Sequence, residues 1–151
     1  DFTPGSLKQP GCYLGDKLSG LSICYESAFS ALILESTPAA RLLINVSNDA
    51  WFGRSIAQDQ HLQVAQARAL ESGRYLLRAT NDGITAIIDY KGKIVDRLPQ
   101  YVPGTLRSTV ELRQGSTVFA KCGIFPLLLV IFTMFFLAGC IRIFSGRNTG
   151  L

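Results

Sequence analysis

Leu18–Cys24 reads LSGLSIC and Arg41–Val46 reads RLLINV. Both are short apolar runs that pass directly into polar clusters, Tyr25-Glu26 after the first and Ser47-Asn48-Asp49 after the second. That is the pattern of strands buried in a sheet whose ends carry a site. Between them SAFSALILES, residues 27–36, suits one short helix halted near Pro38. Strands interleaved with helices imply an α/β or layered α+β sheet domain.

The chain downstream continues the alternation. Ser55 followed three residues later by Gln58 fits a capping box, and Leu62, Ala65 and Ala69 fall on one helical face, so a helix is expected from Ser55 to near Gly73. Strands follow at Tyr75–Thr80 (YLLRAT), Ile84–Asp89 (ITAIID) and Lys93–Leu98 (KIVDRL), separated by turns at Asn81-Asp82-Gly83 and Lys91-Gly92. The last two strands form an expected hairpin. No internal repeat or low-complexity stretch interrupts them.

Composition narrows the function classes. At 151 residues the chain has room for one domain. It is 48% hydrophobic and 17% charged, against about 25% charged in an ordinary soluble domain. Disorder and a nucleic-acid-binding tail are therefore excluded. The net charge of +4 includes Arg142 and Arg147; everything before them carries 13 basic and 11 acidic residues, a balance of +2 with no basic face to explain. The first residue is Asp1 and the sole methionine is Met134, so a fragment or processed chain is expected; no signal-peptide pattern is visible at that end.

The apolar excess lies at the other end. Cys122–Ile141, CGIFPLLLVIFTMFFLAGCI, is uncharged over 20 residues, about 30 Å of helix and the thickness of a bilayer's hydrocarbon core. It reads as a transmembrane helix, with Pro126 tolerated near its start. The expected organisation is a sheet domain over 1–118, a transmembrane helix over 119–143 and a basic tail over 144–151. Charge does not orient it, because Arg107, Arg113 and Lys121 on one side oppose Arg142 and Arg147 on the other.

Four cysteines remain to be placed. Cys122 and Cys140 belong to the apolar run, and Cys12 and Cys24 lie too far apart for a C-x-x-C metal or redox pair, so no metal site is expected. Cys24, at a strand end, projects into the space above a sheet. Its thiol is expected to be free; it is either an inert buried cysteine or a nucleophile toward an acyl carbon once its proton is removed. His61, the only histidine, sits in the expected helix between Gln60 and Leu62, which suits a surface or packing residue better than a partner for Cys24.

The strings Ile23-Cys24-Tyr25-Glu26, Asn45-Val46-Ser47-Asn48-Asp49-Ala50-Trp51-Phe52-Gly53, Gln60-His61, Ala67-Arg68-Ala69-Leu70-Glu71 and Arg78 to Ala86 (RATNDGITA) together resemble the C-terminal part of the apolipoprotein N-acyltransferase family. These are membrane enzymes of the nitrilase superfamily. The resemblance implies the C-terminal part of a nitrilase-like α-β-β-α sandwich. It also implies a ping-pong reaction: an acyl chain passes from a phospholipid to a cysteine as a thioester, then to the N-terminal amine of a diacylglyceryl-modified apolipoprotein. Cys24 takes the nucleophile's place. Tyr25 and Glu26 are implied to support the site, with Glu26 orienting the amine or a lysine. Trp51 and Phe52 either line a lipid entrance or belong to the core. The family's glutamate base and triad lysine have no counterpart here; neither Lys8 nor Lys17 lies in the lysine motif, so the chain alone is expected to be inactive. Asn48 and Asp49 are expected to hold their loop by side-chain to backbone bonds, with Asn81 near the site. No cofactor, no metal and no nucleic acid are implied. The implied setting is a bacterial inner membrane, with a monomeric, multi-pass parent, a periplasmic catalytic domain and a cytoplasmic tail. Two other classes stay open: an amidase or nitrilase acting on a small polar substrate, and a non-catalytic membrane-anchored module.

Overall fold

A computed structural model describes residues 11–147, with side chains at 11–139, 141 and 142. It divides into two compact units, 1–120 and 121–151.

The first unit is built on one mixed sheet of six strands in sequence order. These are β1 (Cys12–Leu14), β2 (Lys17–Ile23), β3 (Leu42–Asn48), β4 (Leu76–Asn81), β5 (Ala86–Ile88) and β6 (Ile94–Arg97). β2, β3 and β4 run parallel, with Ile23 opposite Val46 and Val46 opposite Ala79; β1, β5 and β6 pair antiparallel at the flanks. The expected hairpin is β5–β6. Strand β1, absent from the expected elements, is three exposed residues that return through Gly15 at φ +63.

Parallel neighbours need crossovers, and helices supply them. α1 (Ser30–Ser36) links β2 to β3, and α2 (Ala57–Ser72) links β3 to β4. The helix expected over 27–36 is divided: Cys24–Ala28 forms a separate 3-10 turn, and extended Phe29 precedes α1. Glu71 ties the two helices, accepting from Ser30 Oγ at 2.6 Å and from Arg68 at 2.8 Å. Leu62, Ala65 and Ala69 do face the sheet, packing with Ile33, Leu43, Leu76, Ile84, Ala86 and Ile88 as the core. α2 ends at Gly73 in the left-handed conformation, as its position predicted. The capping box does not form. Ser55 accepts the Ala57 N–H, but Gln58 turns inward to the Gly53 carbonyl and Tyr101. Burial of Gln58 against this loop outcompetes a solvent-exposed cap.

The alternate face of the parallel strands is bare toward their carboxyl ends: Leu21, Ile23 and Val46 are exposed, Ile23 by 58%, while Leu42 at the start of β3 is buried. Side chains alternate across a strand, so these belong to the face opposite the core.

In the C-terminal unit the apolar segment contains α3 (Val118–Cys122) and α4 (Phe125–Arg147), divided at Gly123 with φ +56. Among the described residues no helix is long and apolar enough to cross a membrane, so the single transmembrane helix expected over 119–143 is not supported. Gly123 interrupts the expected helix, and α4 restarts at Phe125. Of the expected tail over 144–151, residues 144–147 continue α4 and 148–151 lie outside the described residues.

Candidate functional site

The parallel strands β2 and β3 end side by side, and the site lies at their carboxyl ends. Ile23 is the last residue of β2, and Cys24 turns the chain with φ +51, a left-handed conformation that costs a non-glycine residue roughly 1–3 kcal/mol unless its surroundings hold it. The surroundings do so through the Cys24 carbonyl. Its oxygen lies 3.1 Å from Ser27 Oγ, 3.3 Å from Asn45 Nδ2 and 3.2 Å from His61 Nε2. The Ser27 and Asn45 hydrogen bonds, at about 1 kcal/mol each, match the conformational cost. The Cys24 side chain is half-exposed and its thiol is free, as expected.

Beneath Cys24 runs a buried polar network that starts from Arg78 on β4. One guanidinium nitrogen donates to Asn45 Oδ1 at 2.5 Å and another to Asp49 Oδ2 at 2.6 Å. Asp49 Oδ1 accepts from His61 Nδ1 at 3.0 Å and from Ser47 Oγ at 2.6 Å. Burial pushes the Asp49 carboxyl up, but the hydrogen bonds from His61 and Ser47 and the charge of Arg78 outweigh it and hold it below its ordinary value. The Arg78 guanidinium is pulled down by burial and partly restored by Asp49. Gly83 makes room for the carboxylate: a Cβ there would stand 2.3 Å from Asp49 Oδ2.

His61 is thus neither a surface residue nor packing filler. It is 5% exposed and reaches the backbone carbonyl of Cys24. Its face of α2 is fixed by the Leu62–Ala65–Ala69 core stripe, but its partners come from β2's end and the β3 loop, which no local pattern reveals. Ser27 Oγ donates to the Cys24 carbonyl and also lies 3.2 Å from His61 Nε2. Ser27 is wholly buried, so the arrangement fixes the turn and offers no nucleophile. Asp49 also departs from expectation, since it leaves the loop to bind Arg78 and His61. Asn48 does cap the loop, accepting the Ala50 N–H at 3.2 Å, and Asn81 lies 3.5 Å from it.

The remaining expected site residues lie in the turns that follow β2 and β3. Glu26 is exposed, and its carboxylate accepts the Ile23 N–H at 2.7 Å. Tyr25 and Phe29 are exposed and meet edge to face at 6.0 Å. Tyr25 and half-buried Phe52 both contact the His61 ring, at 6.3 and 6.2 Å between centroids, so the two loops adjoin. Trp51 is 87% exposed and belongs to no core. A cavity of about 360 Å³ opens between β2 and α1, lined by Gly20, Leu32, Ile33, Leu43 and Arg68; Cys24 lies outside its lining. Among the described residues no cluster of histidine, cysteine or acidic side chains could hold a metal ion.

A half-exposed cysteine on a strained strand-to-helix turn of a mixed sheet coincides with a match of residues 3–118 to the carbon-nitrogen hydrolase family. The chain belongs to the carbon-nitrogen hydrolase family. It is 45% identical over its whole length to an apolipoprotein N-acyltransferase of Nitrosomonas europaea, covering 30% of that protein. It is 47% identical over 85% of its length to the enzyme of that name from Shewanella oneidensis, covering 25% of it. The chain therefore spans less than a third of these curated relatives. Among solved structures, an amidase from Nesterenkonia sp. superposes with a TM-score of 0.54 at 22% identity, over 68% of this chain and 41% of that one. A carbon-nitrogen hydrolase from Helicobacter pylori gives 0.55 at 16% identity, over 64% and 41%. These show the shared nitrilase-superfamily fold.

Proposed function

We propose that this chain is the C-terminal part of an apolipoprotein N-acyltransferase and that Cys24 is its nucleophile. The observation that carries the reading is Cys24 itself: a free thiol at the carboxyl ends of parallel strands, held in a left-handed turn by buried donors. In the first half-reaction the sulfur bonds to a phospholipid ester carbon and expels the glycerol oxygen, which takes up the proton the thiol gave to a base. The products are a thioester and a lysophospholipid. In the second, the acceptor's α-amine attacks the thioester carbon, the thiolate leaves, and the proton lost by the amine returns it to a thiol.

The base and an oxyanion-stabilising lysine come from a part of the enzyme outside these 151 residues. Glu26, Tyr25, Trp51 and Phe52 serve substrate binding, with Glu26 orienting the cationic amine and the aromatics lining the lipid entrance. The bare sheet face packs against the second sheet of an α-β-β-α sandwich. The described side chains of α4, at 125–139, 141 and 142, are exposed, and an apolar surface of that extent is covered by lipid or protein. We place it against the lipid of a bacterial inner membrane, with the catalytic domain on the periplasmic side and the enzyme acting as a monomer.

The amidase reading would need a small polar substrate, and the exposed Tyr25, Phe29 and Trp51 in the turns after β2 and β3 favour an acyl chain instead. The test is Cys24→Ser in the full-length gene. Loss of lipoprotein N-acylation and of a hydroxylamine-labile acyl group is expected, and the isolated chain should take up no acyl group from phospholipid. An unchanged lipoprotein profile would point to the non-catalytic module.

A further inference from the structure

The carbonyl of Cys24 points into the protein. Three buried side chains, Asn45, Ser27 and His61, stand within 3.3 Å of its oxygen. One guanidinium organises two of them. Arg78 can only donate, so its contact at 2.5 Å requires the oxygen of the Asn45 amide to face it. The amide's NH2 group is thereby left facing the Cys24 carbonyl and Ser22 Oγ, the latter at 3.0 Å. The second arm runs from Arg78 through Asp49 to His61.

Peptide geometry converts this inward pull into an outward donor. In a trans peptide the C=O and the following N–H point in opposite directions, and no cis peptide is present among the described residues. Drawing the Cys24 oxygen inward therefore turns the Tyr25 N–H away from the buried network. As one of the first N–H groups of a helical turn, it has no partner within that turn.

We propose that Asn45, oriented by Arg78, is a positioning residue that works with the His61 arm to lock the Cys24–Tyr25 peptide, aiming the Tyr25 N–H at the oxyanion of acyl transfer. For its natural donor this rests on the acyltransferase reading. When the Cys24 sulfur bonds to the ester carbon, the carbonyl π pair moves onto oxygen, and the N–H meets the charge there. The pair returns as the alcohol oxygen leaves with its proton. A donor fixed before reaction costs no reorganisation at that moment.

The test uses the full-length enzyme and two reagents. Acylation by p-nitrophenyl palmitate passes through an oxyanion; alkylation by iodoacetamide at a saturated carbon does not. Asn45→Asp keeps the shape and the Arg78 contact but sets an acceptor against the Cys24 carbonyl. We expect it to lower kcat for acylation about 10- to 100-fold, short of the roughly 100- to 1000-fold loss of a whole oxyanion donor, because the N–H is misaimed rather than deleted. KM and the alkylation rate should stay within about threefold of the parent, since neither depends on charge developing on oxygen. His61→Gln, which removes the other arm, should show the same selectivity. Two results would overturn the proposal: acylation within about twofold of the parent in both variants, or alkylation falling by the same factor as acylation. A parent acylated by the p-nitrophenyl ester but not by phosphatidylethanolamine vesicles would refute the acyltransferase reading and leave this comparison intact.

Discussion

Replacing Arg78 with methionine fills a similar volume and deletes a single charge, and its cost can be worked from the contacts. The guanidinium is 2% exposed and donates to Asn45 and to the wholly buried Asp49. Removing one partner of a buried ion pair strands the other, at about 3–5 kcal/mol. The pH dependence supplies the sharper check. In the parent, Asp49 titrates below its ordinary value, so its contribution is present above the unfolded pKa and is lost as pH falls through the lower folded one. In Arg78→Met the opposing charge is gone and burial, the largest influence on Asp49, pushes the carboxyl up. The folded pKa then lies nearer the unfolded one, held down only by His61 and Ser47, so the gain in stability with rising pH is smaller than in the parent. Urea unfolding followed by circular dichroism, on full-length protein in detergent near pH 3 and near pH 6, reads both effects, with m values checking that the denatured state is unchanged. A loss below about 1 kcal/mol, or a pH slope as steep as the parent's, would refute the assignment of Arg78 as Asp49's counter-charge.

Other substitutions probe separate parts of the molecule. Gly83→Ala drives a methyl into the Asp49 carboxylate that Arg78, His61 and Ser47 hold in place, and should cost about 1–3 kcal/mol in thermal or urea unfolding. Trp51→Ala, at an 87% exposed position, should leave stability within about 0.5 kcal/mol while raising KM for phospholipid in an acyl-transfer assay. Arg74 is a buried cation with carbonyl partners at Thr37, Ala40, Ser72, Gly73 and Gly115, where α1 and α2 end. Burial lowers its affinity for its proton, and Arg113 and Arg41 lower it further. Arg74→Met should destabilise the sheet domain by about 3–5 kcal/mol, measured by the same unfolding.

Much of the fold was legible because it follows local rules. Two apolar runs ending in polar clusters marked the central strands, the Leu62–Ala65–Ala69 stripe marked the buried face of α2, and Lys91-Gly92 marked the β5–β6 turn. The errors share a cause. Ser55 and Gln58 have the spacing of a capping box, yet the Gly53 carbonyl and Tyr101 offer Gln58 a buried alternative. The uncharged stretch from Cys122 counts as one long helix until Gly123 adopts a left-handed conformation and divides it.

Cys24 could be nominated from sequence because a strand end followed by Tyr25-Glu26 is a local pattern. The groups that hold it could not. Asn45, Asp49, His61 and Arg78 come from β3, the loop beyond it, α2 and β4, and only the parallel pairing of Asn45 with Arg78 sets two of them side by side. Hydrophobic periodicity and turn chemistry are short-range and can be read along the chain. The orientation of a buried amide, the partner of a lone histidine and the counter-charge of a buried carboxylate depend on which strands become neighbours. Burial removes water as the competing partner, and that happens only when the sheet and helices close over the network.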